Sequence, residues 1–246
     1  MQNKELPFLK EMFESIAPKY DFLNRTLSLR QDLYWRRVLA FWTDIPINGK
    51  VLDIACGTGD VSIEIFRQKG PDVHIFGIDF SERMLFLARE KIKKLSFSSN
   101  IHLLAGNALN LPFKSETFNA ATIAFGIRNI TDKLSALKSF YKCLKPGGML
   151  LVLELATPKK GLLLSLYLFY FKIILPLIGW FFSRNIKAYN YLPASVINFP
   201  DAETFAAIMH QAGFSNIKWK KLTIGIAVLF IGYKKTLPPD DYPAFD

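Results

Sequence analysis

The stretch VLDIACGTGDVSIE (51–64) decides how this chain folds. VLDIA (51–55) has the apolar character of a short strand, Gly57-Thr58-Gly59 makes a tight turn, and a helix runs from about Asp60 to Gln68. A strand entering a glycine turn and then a helix lets the backbone approach a ligand above a helix N-terminus. Such a loop alone is weak evidence, because it can be a tight turn and nothing more. Asp79 adds weight. It closes the next strand, VHIFGID (73–79), 22 residues after Gly57, where an acid can accept hydrogen bonds from two ribose hydroxyls.

Working outward, the alternation continues. Glu82–Lys94 reads as a charged amphipathic helix that Ser81 can cap. IHLLAG (101–106), FNAATIAF (118–125) and MLLVLEL (149–155) supply three more strands, and a helix from about Asp132 to Leu144 ends at KPGG (145–148). Strands alternating with helices predict a doubly wound α/β fold with a mostly parallel sheet. Upstream, residues 7–43 read as helical with a break near Leu23–Leu29. Downstream, a helix near Asp201–Ala212 precedes NIKWKKLTI and IAVLFIGY, which Gly225 joins as an antiparallel hairpin. The tail LPPDDYPAFD reads as disordered.

Two nucleoside cofactors compete for the glycine loop. A dinucleotide site expects a third glycine where Ser62 stands. Asp53, inside the strand, and Asp60, after the loop, would repel a pyrophosphate but tolerate an ammonium and a sulfonium. The pattern favours S-adenosylmethionine, bound by Asp53, Gly57, Thr58, Gly59 and Asp79, with Asn107 and Ala108 past the third strand placed to meet the adenine edge. Read alone, Asn107 is a turn cap. Cys56 reads as a packing residue rather than a nucleophile. His74, His102 and His210 are scattered without metal-ligand spacing, so no metal is expected.

Three blocks carry a narrower likeness. FESIAPKYDFLNRTLSLRQDLYWRR (13–37), FGIRNITDKLSALKSFYKCLKPGGMLLVLELATP (125–158) and AYNYLPASVINFP (188–200), the last followed by LTIGIAVLFIGYK (222–234), resemble the UbiE family of ubiquinone/menaquinone biosynthesis C-methyltransferases. The resemblance runs from about Phe13 to Lys234. It implies a class I S-adenosylmethionine-dependent methyltransferase fold and methyl transfer to a ring carbon of a polyprenylated hydroquinone, demethylmenaquinol first and a benzoquinol second. It also carries cofactor roles onto Thr58, Asp79, Asn107 and Ala108. The chain departs from the pattern at Ala124 (often Ser), Arg30 (usually Gly), Asp32 (usually His) and Phe230 (commonly His). Ring methylation needs an electron-rich ring aligned with the methyl donor, and deprotonating a hydroquinone hydroxyl supplies that density. Arg128 and Asn129, just past the fourth strand, are expected to hold the quinol oxygen. The arginine stabilises charge rather than acting as a base. Water or a nearby tyrosinate is expected to take the proton, Tyr20 stands with Arg128 and Asn129 as a candidate catalytic residue, and Tyr20, Asp21 and Asn24 are candidates for a lid over the site.

Composition sharpens the partners. Half of the 246 residues are hydrophobic, 22 are Phe and the net charge is +10, which excludes disorder and leaves room for a large core. Two cysteines exclude a disulfide framework. The start, with three acids by Glu14 and no apolar run after its first cation, does not read as a signal or transit peptide. Residues 161–182 hold 17 apolar residues in 22, long enough for a membrane span. Lys172, Pro176 and the need to return the last two strands to the sheet argue against one. A membrane-facing or substrate-facing insertion is expected instead, with a buried helix or homodimer interface as the alternative. The excess charge lies in residues 159–187 and 213–236, five cations and no acid in each, leaving 21 cations against 21 acids elsewhere. That placement suits an anionic membrane surface better than nucleic acid. The expected organisation is one domain over 1–246: a helical lid (1–48), a cofactor core (49–158), the insertion (159–200), a helix and hairpin (201–236) and a tail. The expected setting is the cytoplasm, at the inner face of the cell membrane. An RNA methyltransferase and a non-catalytic lipid-binding module are the rivals. The first would want an Asn/Asp-Pro-Pro-Tyr run, and the second leaves the glycine loop with Asp79 unexplained.

Overall fold

The computed structural model describes residues 5–95, 99–158 and 186–236, with Gly161, Leu164, Ser165 and Phe169 between the last two. The side chains of residues 5–6 and 186–190 are outside the description, as are most of the 161–182 run and the tail. Three helices open the chain: α1 (Glu5–Ile16), α2 (Tyr20–Leu27) and α3 (Gln31–Trp42). The helical reading of 7–43 therefore breaks twice. Pro18 sits in a short 3-10 turn between α1 and α2, and Leu29 and Arg30 both turn through positive φ before α3.

The alternating core follows as β1 (Lys50–Ile54), α4 (Asp60–Lys69), β2 (His74–Asp79), α5 (Glu82–Lys94), β3 (Ile101–Ala105), β4 (Phe118–Ala124), α6 (Lys133–Cys143) and β5 (Leu144–Leu155). Then come α7 (Ile186–Ile197), α8 (Ala202–Gln211), β6 (Ser215–Leu222) and β7 (Ala227–Tyr233). Ser81 caps α5 as the sequence suggests, its Oγ accepting from the Met84 amide, and the structure adds a cap on α6, where Asp132 accepts from the Ser135 amide. Helix α6 ends at Cys143, close to where KPGG predicts its stop, but KPGG itself belongs to a strand. Strand β5 begins at Leu144, pairs with Phe118, and crosses KPGG with a register shift before running on to Leu155.

The seven strands lie in the order β3-β2-β1-β4-β5-β7-β6. All pairs are parallel from β3 to β5, whereas β7 pairs antiparallel with both β5 and β6. Neighbouring residues of one strand serve opposite faces, as strand pleating requires. Leu52 and Val152 join Leu137, Phe140, Phe205 and Met209 beneath α6 and α8. Val51 and Leu151 join Trp35, Leu39, Ile65 and Ile92 beneath α3, α4 and α5. Strand order reverses between β1 and β4, so a crevice opens at their carboxyl ends, where ligands bind in such sheets.

Candidate active site

The crevice is built from strand ends. Its cavity, about 80 Å³, is lined by Ala55 and Gly57 past β1, Asp79 and Phe80 past β2, Asn107 and Ala108 past β3, and Phe125 and Asn129 past β4. Leu9 and Phe13 of α1 and Tyr20 of α2 line it from the N-terminal helices. Two non-glycine residues on this lining, Ala55 (φ 52°) and Phe125 (φ 58°), sit in the left-handed region. Backbone strain of this sort collects at sites where the surrounding fold over-determines the geometry.

Asp79 is the centre of the polar lining. Its Oδ2 accepts from the Gly57 amide at 2.8 Å and its Oδ1 from the Ser81 amide at 2.8 Å. A carboxylate has about four acceptor positions, so these two bonds orient Asp79 and leave capacity for a vicinal diol. Burial pushes its carboxyl up despite those amide bonds. Gly57 (φ 55°) and Gly59 (φ 80°) both need the left-handed conformation that brings the loop over the start of α4.

Asp53 points elsewhere. Its carboxylate accepts from Ser62 Oγ at 2.6 Å and Thr122 Oγ1 at 3.0 Å, tying β1 to α4 and β4. Burial raises it from 3.8 to about 6, while those hydroxyls oppose the rise. Ser62, the residue standing in place of a third glycine, thus joins helix to strand through a hydrogen bond. Thr58 is also buried, and its hydroxyl donates to Asp21 of α2 at 2.6 Å. Lys91 of α5 then bridges Asp21 and Asp60, at 2.6 Å to each. Asn107 lines the cavity and also caps its own turn, its Oδ1 accepting from the Leu109 amide. Ala108 lies beside it.

The structure separates Arg128 from Asn129. Asn129 lines the cavity, and its Oδ1 accepts from Tyr191 of α7 at 3.1 Å. The Arg128 guanidinium instead turns back to Glu154 Oε1 and the Phe125 carbonyl, both at 2.6 Å, while Glu154 Oε2 accepts from the Arg128 amide. Arg128 Nε is buried without a partner. Sequence reasoning missed Glu154 and Tyr191. The signal for Glu154 was a single charge in the apolar strand MLLVLEL, fully buried in the fold. Tyr20 is half-buried at the crevice, and desolvation pushes its hydroxyl up from 10.0, so it stays protonated at neutral pH. Among the departures from the family pattern, Ala124 lines the cavity, Asp32 pairs with Arg36 at 2.6 Å, and Phe230 packs on Phe205 in the core. Among the described residues no His, Cys, Asp and Glu cluster could hold a metal ion.

This strand order, with Asp79 and the glycine loop at its switch point, defines a class I S-adenosylmethionine-dependent methyltransferase. A possible histamine N-methyltransferase from Thermotoga maritima, a solved S-adenosylmethionine-dependent methyltransferase, shares the fold with a TM-score of 0.65 at 23% identity, covering 92% of this chain and 99% of that one. The chain belongs to the ubiE/COQ5 methyltransferase family, which matches it over residues 1–234. It is 45% identical to the ubiquinone/menaquinone biosynthesis C-methyltransferase UbiE of Geotalea daltonii, over 92% of this chain and 96% of that protein. It is 38% identical to the demethylmenaquinone methyltransferase of Staphylococcus haemolyticus, over 91% and 92% respectively.

Proposed function

We propose that the enzyme C-methylates the ring of a polyprenylated hydroquinone in quinone biosynthesis, with demethylmenaquinol as first substrate and a benzoquinol as second. The observation that carries this reading is the pairing, in one crevice, of the diol-accepting Asp79 with a lining of Leu9, Phe13, Tyr20, Phe80 and Phe125. One end suits a nucleoside, the other a flat apolar ring. The names of the two curated relatives agree with it.

The residues present fit S-adenosylmethionine. Asp79 has free acceptor positions, Gly57 lets the backbone come close, and among the described residues no cation lines the crevice to repel a sulfonium. That cosubstrate supplies an electrophilic methyl group, the sulfur keeping the electrons of the broken bond. Gly57, Asp79, Asn107 and Ala108 would hold it, with Thr58 and Gly59 shaping the loop and Asp53 fixing that loop to the sheet. On the quinol side, Tyr20 keeps its proton and so serves as a donor to a quinolate oxygen rather than as a base. Asn129, whose Oδ1 is engaged by Tyr191, would meet the same oxygen with its amide N–H. Arg128, anchored by Glu154, supports the turn that carries Asn129 and adds positive potential behind it. Helices α1 and α2 serve as a lid that excludes water.

The substrate class also places the enzyme at the inner face of the cell membrane. Among the described residues no helix is long and apolar enough to cross a membrane, and the reading needs only surface contact. Methyl transfer from labelled S-adenosylmethionine to demethylmenaquinol, to its benzoquinol counterpart and to RNA tests the assignment. Label in the naphthoquinol is expected; label in RNA alone, or in neither quinol, overturns it.

A further inference from the structure

A second cavity, of about 450 Å³, lies on the other flank of α4, away from the crevice lining. Arg25, Arg30, Arg36 and Arg37 reach it from the α2–α3 segment, Arg67 from α4, and Lys91 and Lys94 from α5. Only Asp60 and Glu64 among its lining residues are acids. Asp60 is engaged by Lys91 and Arg25, Glu64 by Arg37 and Arg67 at 3.9 and 3.7 Å, and Arg36 by Asp32 behind it. Arg30 and Lys94 have no carboxylate partner among the described residues. The surplus is cationic, and the volume suits a phosphate-bearing group of small-molecule size.

Helix dipoles explain part of the set, because Arg67 and Lys94 close the C-termini of α4 and α5, where cations are favourable. They do not explain Arg30. It sits at the N-cap of α3, the end that disfavours a cation, in the left-handed conformation (φ 63°) that favours glycine, and its side chain makes no capping bond. The fold tolerates strain and a dipole mismatch to place that guanidinium at the cavity.

The rim supplies the second observation. Leu29, next to Arg30 and also at positive φ, is 82% exposed. Ile224, in the turn between β6 and β7 and at φ 57°, is 81% exposed. The two turns are held together: Trp35 Nε1 donates to Thr223 Oγ1 at 2.7 Å, and that hydroxyl donates to Gln31 Oε1 at 3.0 Å. Two bulky apolar tips therefore project from tied turns beside a cationic cavity.

We propose that this cavity binds the phosphate headgroup of an anionic membrane lipid, with Leu29 and Ile224, on turns tied to each other, entering the acyl boundary beside it. Apolar tips beside cations are what an anionic bilayer surface selects, since burial of each tip and phosphate pairing add. A soluble phosphate compound would use the cations and leave the tips exposed. The proposal deepens the membrane reading above and rests on it.

Flotation of the full chain with phosphatidylcholine vesicles, with and without one quarter phosphatidylglycerol, tests it at low and high salt. The expected result is phosphatidylglycerol-dependent flotation that weakens with salt, falls at least tenfold in R30E/R37E and falls severalfold in L29S/I224S. Turnover of a short-chain, detergent-free quinol is expected to stay within twofold of wild type in both variants, and thermal melts confirm that they fold. Wild-type flotation in either folded variant overturns the proposal. So does displacement of bound protein by millimolar inorganic phosphate or pyrophosphate at constant ionic strength, which would assign the cavity to a free anion. Flotation of a wild-type chain that methylates no quinol would sink the substrate reading and leave the headgroup site standing.

Discussion

The crevice and the cationic cavity flank the same helix, α4, and handle charge in opposite ways. In the crevice the one charged side chain on the described lining, Asp79, is held by two backbone amides, and the charges behind it are paired within the fold: hydroxyls hold Asp53, and Glu154 holds Arg128. Around the cavity, cations outnumber the acids that could satisfy them. The difference teaches which ligands each can take. A lining whose charges are spent internally presents shape, directed hydrogen bonds and a mild field, as suits a zwitterion and an aromatic ring. A lining with surplus charge waits for a counterion from outside.

Removing one partner of the crevice's internal pairing tests this contrast hardest. Arg128→Ala leaves Glu154 as an uncompensated buried charge, so it is expected to cost about 3–5 kcal/mol of stability in a denaturant melt. R128M/E154L is expected to recover most of that loss, and its turnover, lower than wild type with S-adenosylhomocysteine binding retained, reports what Arg128 adds to catalysis. Equal melts for Arg128→Ala and wild type would show that the pair is not buried in solution.

Asp53 gives the next largest effect, through pH. Its folded-state value of about 6 lies above the ordinary 3.8, so the fold prefers the protonated acid. That preference is fully present below about pH 3.8 and is lost as pH rises through about 6, leaving a cost of roughly 3 kcal/mol above it. Asp53→Asn is expected to raise stability at pH 8 by about 1–3 kcal/mol and to flatten its pH dependence between about 4 and 6. A melt series with the wild-type slope would break the account.

Asp79→Ala removes the diol acceptor and is expected to weaken S-adenosylhomocysteine binding about 100-fold, close to 2.7 kcal/mol, by calorimetry. The smallest effect belongs to the other side of α4. Arg30→Gly relieves a left-handed arginine, so a gain of about 0.5–1 kcal/mol is expected, alongside weaker flotation on anionic vesicles. Loss of stability there would mean that Arg30 serves the fold and not a ligand.

How much of this could be read in the sequence depended on distance along the chain. The strand–glycine-turn–helix of 51–68, the strand that ends at Asp79 and the Ser81 cap are set by short stretches of sequence, and they were legible as structure. KPGG marked the end of α6 but not its own place in β5, because it is pairing with the distant β4 that draws it into the sheet across a register shift. Arg128 was found but not its partner, since Glu154 lies 26 residues on, across the β4–β5 connection. The cationic cavity was hidden most thoroughly. It falls within the part of the chain where cations and acids count equal, and only folding brings the arginines of 25–37 against α4 and α5 while sending other acids elsewhere.

The chain Thr58–Asp21–Lys91–Asp60 has a kinetic consequence. It ties α2, which brings Tyr20 to the crevice lining, to the glycine loop and to α5. If the cofactor enters only when α2 parts from that loop, its observed association rate is expected to level off at high concentration, at the opening rate. Because two of the three links are ion pairs, added salt is then expected to raise that plateau.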